Sequence, residues 1–128
     1  MGLKKNDYDL FTRHENNPIL STDNWPYPAH TCFNAGATIL QDGQTLLLVR
    51  IEDRRGISHL TVAKSRNGLT DWRIDAKPTL APDPERYPEE EWGIEDPRVV
   101  WVEELKKYII TYTAYSSAGP AVSLATTE

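Results

Sequence analysis

The fold is decided by residues 37–51, which read ATILQDGQTLLLVRI. An apolar run stands on each side of Asp42-Gly43, a pair that supplies the positive-φ residue a tight hairpin needs. Strands are predicted at 37–40, 45–51 and 58–63, with a short edge strand at 72–74. Apolar residues nowhere recur at helical spacing over a long stretch, so the pattern predicts an all-β chain.

The same pattern returns 62 residues further along the chain. Strands are predicted there at 98–102, 107–113 and 121–125. Leu46 to Leu48 fall on Tyr108 to Ile110, with a two-residue adjustment at the first turn. Radially repeated antiparallel units of this kind are the blades of a β-propeller. The alternative is a small open sandwich in which two meanders resemble each other by chance.

The repeat divides the chain into three parts: an entry segment at 1–30, a first blade-like unit at 31–90 and an incomplete second unit at 91–128. Propellers typically close with about four to eight blades. A chain with about two such units is therefore expected to be either a piece of a longer protein or one subunit of a homo-oligomer in which several chains complete a ring.

Composition excludes several classes of function. The 128 residues carry a net charge of −5, which argues against a general nucleic-acid or anionic-membrane binder. Cys32 is the only cysteine, so neither an internal disulfide nor a Cys/His zinc cluster is expected. Residues 1–20 lack the apolar region of a secretory signal, and no apolar run approaches a membrane span. We therefore expect a cytoplasmic protein.

The most informative polar segment is residues 92–98, WGIEDPR. Pro97 should hold Asp96 in an extended conformation, so that Glu95 and Asp96 point to opposite sides. Arg98 would then share the side of Asp96 and could orient a carboxylate or bind an anion. The alternative is a surface loop whose charges cap a turn.

Two further polar residues stand near strand ends. Asn34 precedes the first strand, and the 62-residue offset of the repeat aligns it with Asp96. Its amide both donates and accepts, which suits paired sugar hydroxyls, although an ordinary Asx-turn is the alternative. Arg50 ends an apolar strand, where an arginine is usually paired or faces a ligand. The alternative interpretation of Arg50 is structural: it forms an ion pair with Glu52 or Asp53.

The loop before Gly93 offers acidic and aromatic side chains. Its acidic run at 89–91 is expected to be solvated. Trp92 and Tyr87 are either a sugar-stacking platform or anchors for the loop. His14, His30 and His59 have no metal-like spacing.

Several motifs in order resemble glycoside hydrolase family 130. They are NNPIL at 16–20, FNAG at 33–36, LLVR at 47–50, SRNGLTDW at 65–72 and GIEDPR at 93–98. That family contains β-mannoside phosphorylases and some β-1,2-mannosidases on a five-bladed β-propeller. The resemblance covers nearly the whole chain, and GIEDPR is its most specific part.

The resemblance implies roles for individual residues. Asp96 matches the family's general acid, while Asn34 and Arg50 match residues that hold the mannosyl unit. The implied reaction is inverting phosphorolysis of a β-mannoside oligosaccharide by inorganic phosphate, giving α-mannose 1-phosphate without a metal or organic cofactor. The family's phosphate-binding cations lie mostly in later blades, so the isolated chain is expected to be inactive. A hydrolase of the same fold, or a non-catalytic sugar-binding or self-assembling fragment, is the alternative.

Overall fold

The computed structural model describes residues 10–128, which form seven β-strands and two short 3₁₀ helices. The strands are β1 (Thr31–Ile39), β2 (Thr45–Glu52), β3 (Ser58–Ser65), β4 (Arg73–Ile74), β5 (Ile94–Val102), β6 (Lys107–Ser116) and β7 (Gly119–Thr127). The 3₁₀ helices are Thr22–Asn24 and Pro88–Glu90. No helix in this part of the chain is long and apolar enough to cross a membrane.

The strands form two antiparallel sheets in sequence order, β1-β2-β3-β4 and β5-β6-β7. Every predicted strand is confirmed, and three strands of the second sheet begin within one residue of their counterparts shifted by 62. Phe33 pairs with Arg50, and Glu95 pairs with Thr113. After the 62-residue shift, the pairing of β5 with β6 therefore differs by one residue from the pairing of β1 with β2. The sequence predicted a two-residue adjustment at this turn.

The first strand of each sheet contains a bulge that makes it longer than predicted. The pairing register shifts between Phe33 and Gly36 in β1, and between Glu95 and Arg98 in β5. Asn34 has φ 46° and Asp96 has φ 48°. The expectation of an extended Asp96 is therefore wrong, because the bulge places this residue in the left-handed region, which short Asn and Asp side chains tolerate.

The main core lies between the two sheets. Its buried members are Leu48, Leu60, Ile94, Tyr112 and Ala114. The sheets approach each other closely at Gly36, where a Cβ atom would stand 2.7 Å from the carbonyl oxygen of Pro97. A glycine at this position therefore lets β1 and β5, and the two bulges on them, lie side by side.

The other face of the first sheet is covered by the chain that precedes β1. Its core contains Trp25, Val49, Ile51 and Ala63. The Tyr27 hydroxyl lies 2.8 Å from Nε2 of His59 and 2.6 Å from the hydroxyl of Thr61. Burial lowers the pKa of His59. This segment is thus attached to the sheet by both apolar and polar contacts.

Candidate functional site

Arg50 is the centre of a cluster of carboxylates at the junction of the two sheets. Its Nη1 lies 2.9 Å from Oδ1 of Asp96, and its Nη2 lies 2.9 Å from Oε1 of Glu95. Glu52 is 3.6 Å from the same Nη2. The Arg50 side chain is only 12% exposed, whereas the side chain of Asp96 is 50% exposed, so water screens the Arg50–Asp96 pair in part.

The sheet register holds the guanidinium of Arg50 in place. Its Nε donates to the hydroxyl of Ser58 at 2.9 Å, and its Cζ lies 4.4 Å from the centre of the Phe33 ring. Phe33 pairs with Arg50 across β1 and β2, which explains the cation–π contact. The guanidinium is therefore oriented before any ligand arrives.

Asn34 and Asp96, the equivalent residues of the two repeats, contact each other directly. The Asn34 amide donates to Oδ1 of Asp96 at 2.9 Å. This hydrogen bond, followed by the hydrogen bond and charge of Arg50 and the charge of Arg98, holds the pKa of Asp96 below its ordinary value. Asp96 is therefore an ionised carboxylate in this arrangement.

The predicted side-chain directions around Asp96 need correction. Glu95 and Asp96 were expected on opposite sides, yet both reach Arg50, because the bulge interrupts the alternation of the strand. Arg98 is exposed, and in the described residues it forms no ion pair. Its charge lowers the pKa of Asp96, and its expected role in orienting a carboxylate or binding an anion stays a prediction.

The structural interpretation of Arg50, an ion pair with Glu52 or Asp53, is confirmed. Its ion pair with Glu52 is present, whereas Asp53 pairs with Arg55 at 2.7 Å. Phe33 and Ser58 were missed as members of the cluster. The pairing of β2 with both neighbouring strands brings them to Arg50, and local sequence carries no signal for that pairing.

The acidic run at 89–91 is not uniformly solvated, contrary to expectation. Glu90 is 4% exposed and accepts hydrogen bonds from the Tyr112 hydroxyl at 2.7 Å and from the Asp83 amide at 2.8 Å. Burial, with the neighbouring Glu90 carboxylate, strongly raises the pKa of Tyr112. The 3₁₀ turn at Pro88–Glu90 thus directs one of three similar side chains into the protein.

Trp92 and Tyr87 are both partly exposed, but the aromatic partner of Trp92 is Tyr115. The guanidinium of Arg86 lies 5.7 Å from the Tyr87 ring. Between residues 10 and 128, no group of three His, Cys, Asp or Glu side chains is arranged to hold a metal ion. The site is therefore an arginine–carboxylate cluster with exposed aromatic rings nearby.

The chain matches a family model described as β-1,4-mannooligosaccharide phosphorylase, glycoside hydrolase family 130, over residues 3–128. It therefore belongs to glycoside hydrolase family 130, whose relatives include glycoside phosphorylases and hydrolases. A search of the curated proteins finds no match.

Several solved structures share the fold. A glycosyl hydrolase from Bacteroides ovatus superposes with a TM-score of 0.76 at 29% identity, covering 91% of this chain and 38% of its own. A structure from work on family 130 hydrolases that target β-1,2 mannosidic linkages in Candida mannan has a TM-score of 0.76 at 30% identity, covering 90% and 37%. The β-1,2-mannobiose phosphorylase from Listeria innocua, at 21% identity and a TM-score of 0.74, shares the fold over 90% of this chain and 47% of its own.

The chain spans about 38% of the length of the first of these relatives. Its two sheets, related by the repeat, are two blades of a propeller-type fold, as the sequence predicted. Asn34 on β1, Arg50 near the end of β2 and Asp96 on β5 meet where the two sheets touch.

Proposed function

We propose that this chain carries the acid-bearing part of a β-mannoside phosphorylase that acts with inversion. The observation that supports this most directly is the contact of Asp96 with both Asn34 and Arg50 across two blades. The family match and the descriptions of its relatives provide the substrate class. In the proposed reaction, a phosphate oxygen attacks the anomeric carbon of the mannosyl unit while the glycosidic bond breaks.

Each residue then has a distinct task. Asp96 supplies the proton that the departing sugar oxygen needs, by way of a hydroxyl group of the mannosyl unit. Asn34 and Arg50 hold that unit and the carboxylate in a fixed relation, which contributes to catalysis by orientation. Phosphate is already an anionic nucleophile, so a second carboxylate acting as a base is unnecessary, unlike in inverting hydrolysis.

The lowered pKa of Asp96 is opposite to what a general acid requires. Bound phosphate would act in the other direction, because a nearby anion disfavours an ionised carboxylate. We therefore expect Asp96 to take up its proton when phosphate and mannoside bind. The pH dependence of turnover should then shift with phosphate concentration.

A hydrolase is the second candidate, since one relative is described among family members that hydrolyse β-1,2 mannosidic linkages. A non-catalytic sugar-binding module is the alternative outside enzymes. Phosphate dependence separates the first two functions, because only a phosphorylase forms mannose 1-phosphate.

The test is made on the gene product that contains these residues. It is incubated with β-mannooligosaccharides with and without inorganic phosphate, and mannose 1-phosphate is followed by phosphorus NMR. Asp96→Asn should abolish turnover, whereas Asp71→Asn should not, although Asp71 is also an exposed aspartate with positive φ. Turnover retained in Asp96→Asn contradicts the assignment. Free mannose formed equally without phosphate indicates hydrolysis, and binding without cleavage indicates the module.

A further inference from the structure

Trp92 and Tyr115 form an exposed aromatic pair that the proposed chemistry does not use. Their ring centroids are 5.3 Å apart with an interplanar angle of 69°. Trp92 is 41% exposed and Tyr115 38% exposed. Large aromatic rings held at a protein surface commonly mark a binding surface.

Backbone hydrogen bonds hold this pair in place. The Trp92 amide donates to the carbonyl of Tyr115 at 2.8 Å, and the Tyr115 amide donates to the carbonyl of Gly93 at 3.1 Å. The preceding residues are anchored by Glu90, whose buried carboxylate accepts from Tyr112. The rings are therefore presented by an ordered segment.

The pair adjoins the arginine–carboxylate cluster. Gly93, which follows Trp92, packs so closely on β3 that a Cβ atom would stand 2.7 Å from the Ser58 amide nitrogen. The hydroxyl of Ser58 accepts the hydrogen bond from Nε of Arg50. Trp92 is thus followed directly by a residue, Gly93, that packs against Ser58 of the arginine–carboxylate cluster.

The repeat gives a second reason to place the pair at the same end of the fold. Phe33 pairs with Arg50 in the first sheet, as Glu95 pairs with Thr113 in the second. Thr113 is therefore the counterpart of Arg50 in the second sheet. Two residues further along the strand, Tyr115 is the counterpart of Glu52, which lies beside Arg50. Trp92 stands four residues before Asp96, a stretch that spans at most roughly 13 Å even when fully extended.

We propose that Trp92 and Tyr115 form a second sugar subsite, on which the apolar face of a pyranose ring stacks while another ring of the same oligosaccharide lies at Arg50 and Asp96. An indole offers a broad apolar surface with a polar edge, which matches a sugar ring with an apolar face and a hydroxyl rim. This inference rests on the proposed function for its mannoside ligand, and it predicts a preference for oligosaccharides over disaccharides.

The experiment follows the indole N–H signals of ¹⁵N-labelled protein during titration with β-mannobiose and β-mannotetraose. The signal of Trp92 should shift and saturate with the tetrasaccharide. Trp101 is the internal control, because it pairs with Tyr108 at 4.9 Å across β5 and β6, at the end of the sheet away from Trp92. An unmoved Trp92 signal, or equal shifts of Trp92 and Trp101, overturns the proposal.

Variants provide the second measurement. The wild type should bind the tetrasaccharide roughly tenfold more tightly than the disaccharide, the scale expected for one aromatic stacking contact. Trp92→Ala should lose this gain, and Trp101→Ala should keep it. A gain that persists in Trp92→Ala overturns the subsite. A gain and a Trp92 shift that are equally large with gluco-oligosaccharides support the subsite and instead contradict the mannoside assignment.

Discussion

Replacing Arg50 by methionine should destabilise the fold more than any other single charge removal near the site. The change keeps an unbranched side chain but removes the hydrogen bonds of Arg50 to Ser58 and Asp96 and its ion pair with Glu95, each at 2.9 Å. It also leaves carboxylates facing one another without a cation. Each lost charge-assisted bond is worth roughly 1.5–3 kcal/mol when well shielded.

Solvent reduces that sum, because the side chains of Glu95 and Asp96 are 22% and 50% exposed. We expect a loss of about 2–4 kcal/mol in the free energy of unfolding, against a total of about 5–15 kcal/mol for a typical domain. Urea unfolding followed by tryptophan fluorescence measures the loss. The free energy of unfolding of Arg50→Lys should lie between those of the wild type and Arg50→Met, because a single ammonium group cannot replace the planar guanidinium with its several donors.

The matched control is Arg55→Met. Arg55 also pairs with an aspartate at 2.7 Å, but its side chain is 77% exposed, so its removal should change stability little.

The pH dependence of the stability of Arg50→Met gives the sharper test. The folded protein lowers the pKa of Asp96, so this stabilisation is present above the unfolded pKa and is lost as pH falls through the folded one. The deficit of Arg50→Met should therefore shrink in acid. Equal stability at neutral pH, or a deficit unchanged in acid, would refute the reasoning.

Three further changes test other parts of the structure. Gly36→Ala forces a methyl group to within 2.7 Å of the Pro97 carbonyl oxygen and should cost about 1–3 kcal/mol, measured by thermal unfolding; an unchanged midpoint contradicts the close approach. Tyr112→Phe removes the donor to Oε1 of buried Glu90 and leaves the Asp83 amide as the donor to its other oxygen, so it should cost about 1–3 kcal/mol in urea unfolding; an unchanged midpoint would contradict the role of this hydrogen bond. Asp96→Asn should reduce stability at neutral pH and converge with the wild type in acid, and parallel stability curves over pH would show that its ionised form is not favoured by folding.

Local pattern was enough to predict the strands and the repeat. Alternating and continuous apolar runs around Asp42-Gly43 indicate a hairpin, and their return in the second half indicates a second unit. The resemblance around Gly93 to Arg98 also selected Asp96, which the structure places in contact with Asn34 and Arg50. The alternation of apolar residues and the residues that favour a tight turn are local features, so a single sequence carries that information.

Directions of side chains could not be predicted in the same way. Pro97 disfavours a right-handed helical conformation at Asp96, but it does not distinguish an extended residue from a left-handed one. The bulge that decides between them forms only when β5 pairs with β6, so the joint approach of Glu95 and Asp96 to Arg50 was missed. For Glu90, burial depends on the distant Tyr112.

The sequence by itself determined that this chain is all-β, that its two units repeat, and which polar residues stand at the strand entrances. Only the tertiary structure decided that Arg50 holds two carboxylates of the neighbouring unit, and that Trp92 packs edge-to-face against Tyr115. The physical reason is that turn chemistry and apolar periodicity are local, whereas register and the docking of one sheet on another depend on contacts between residues far apart in the chain.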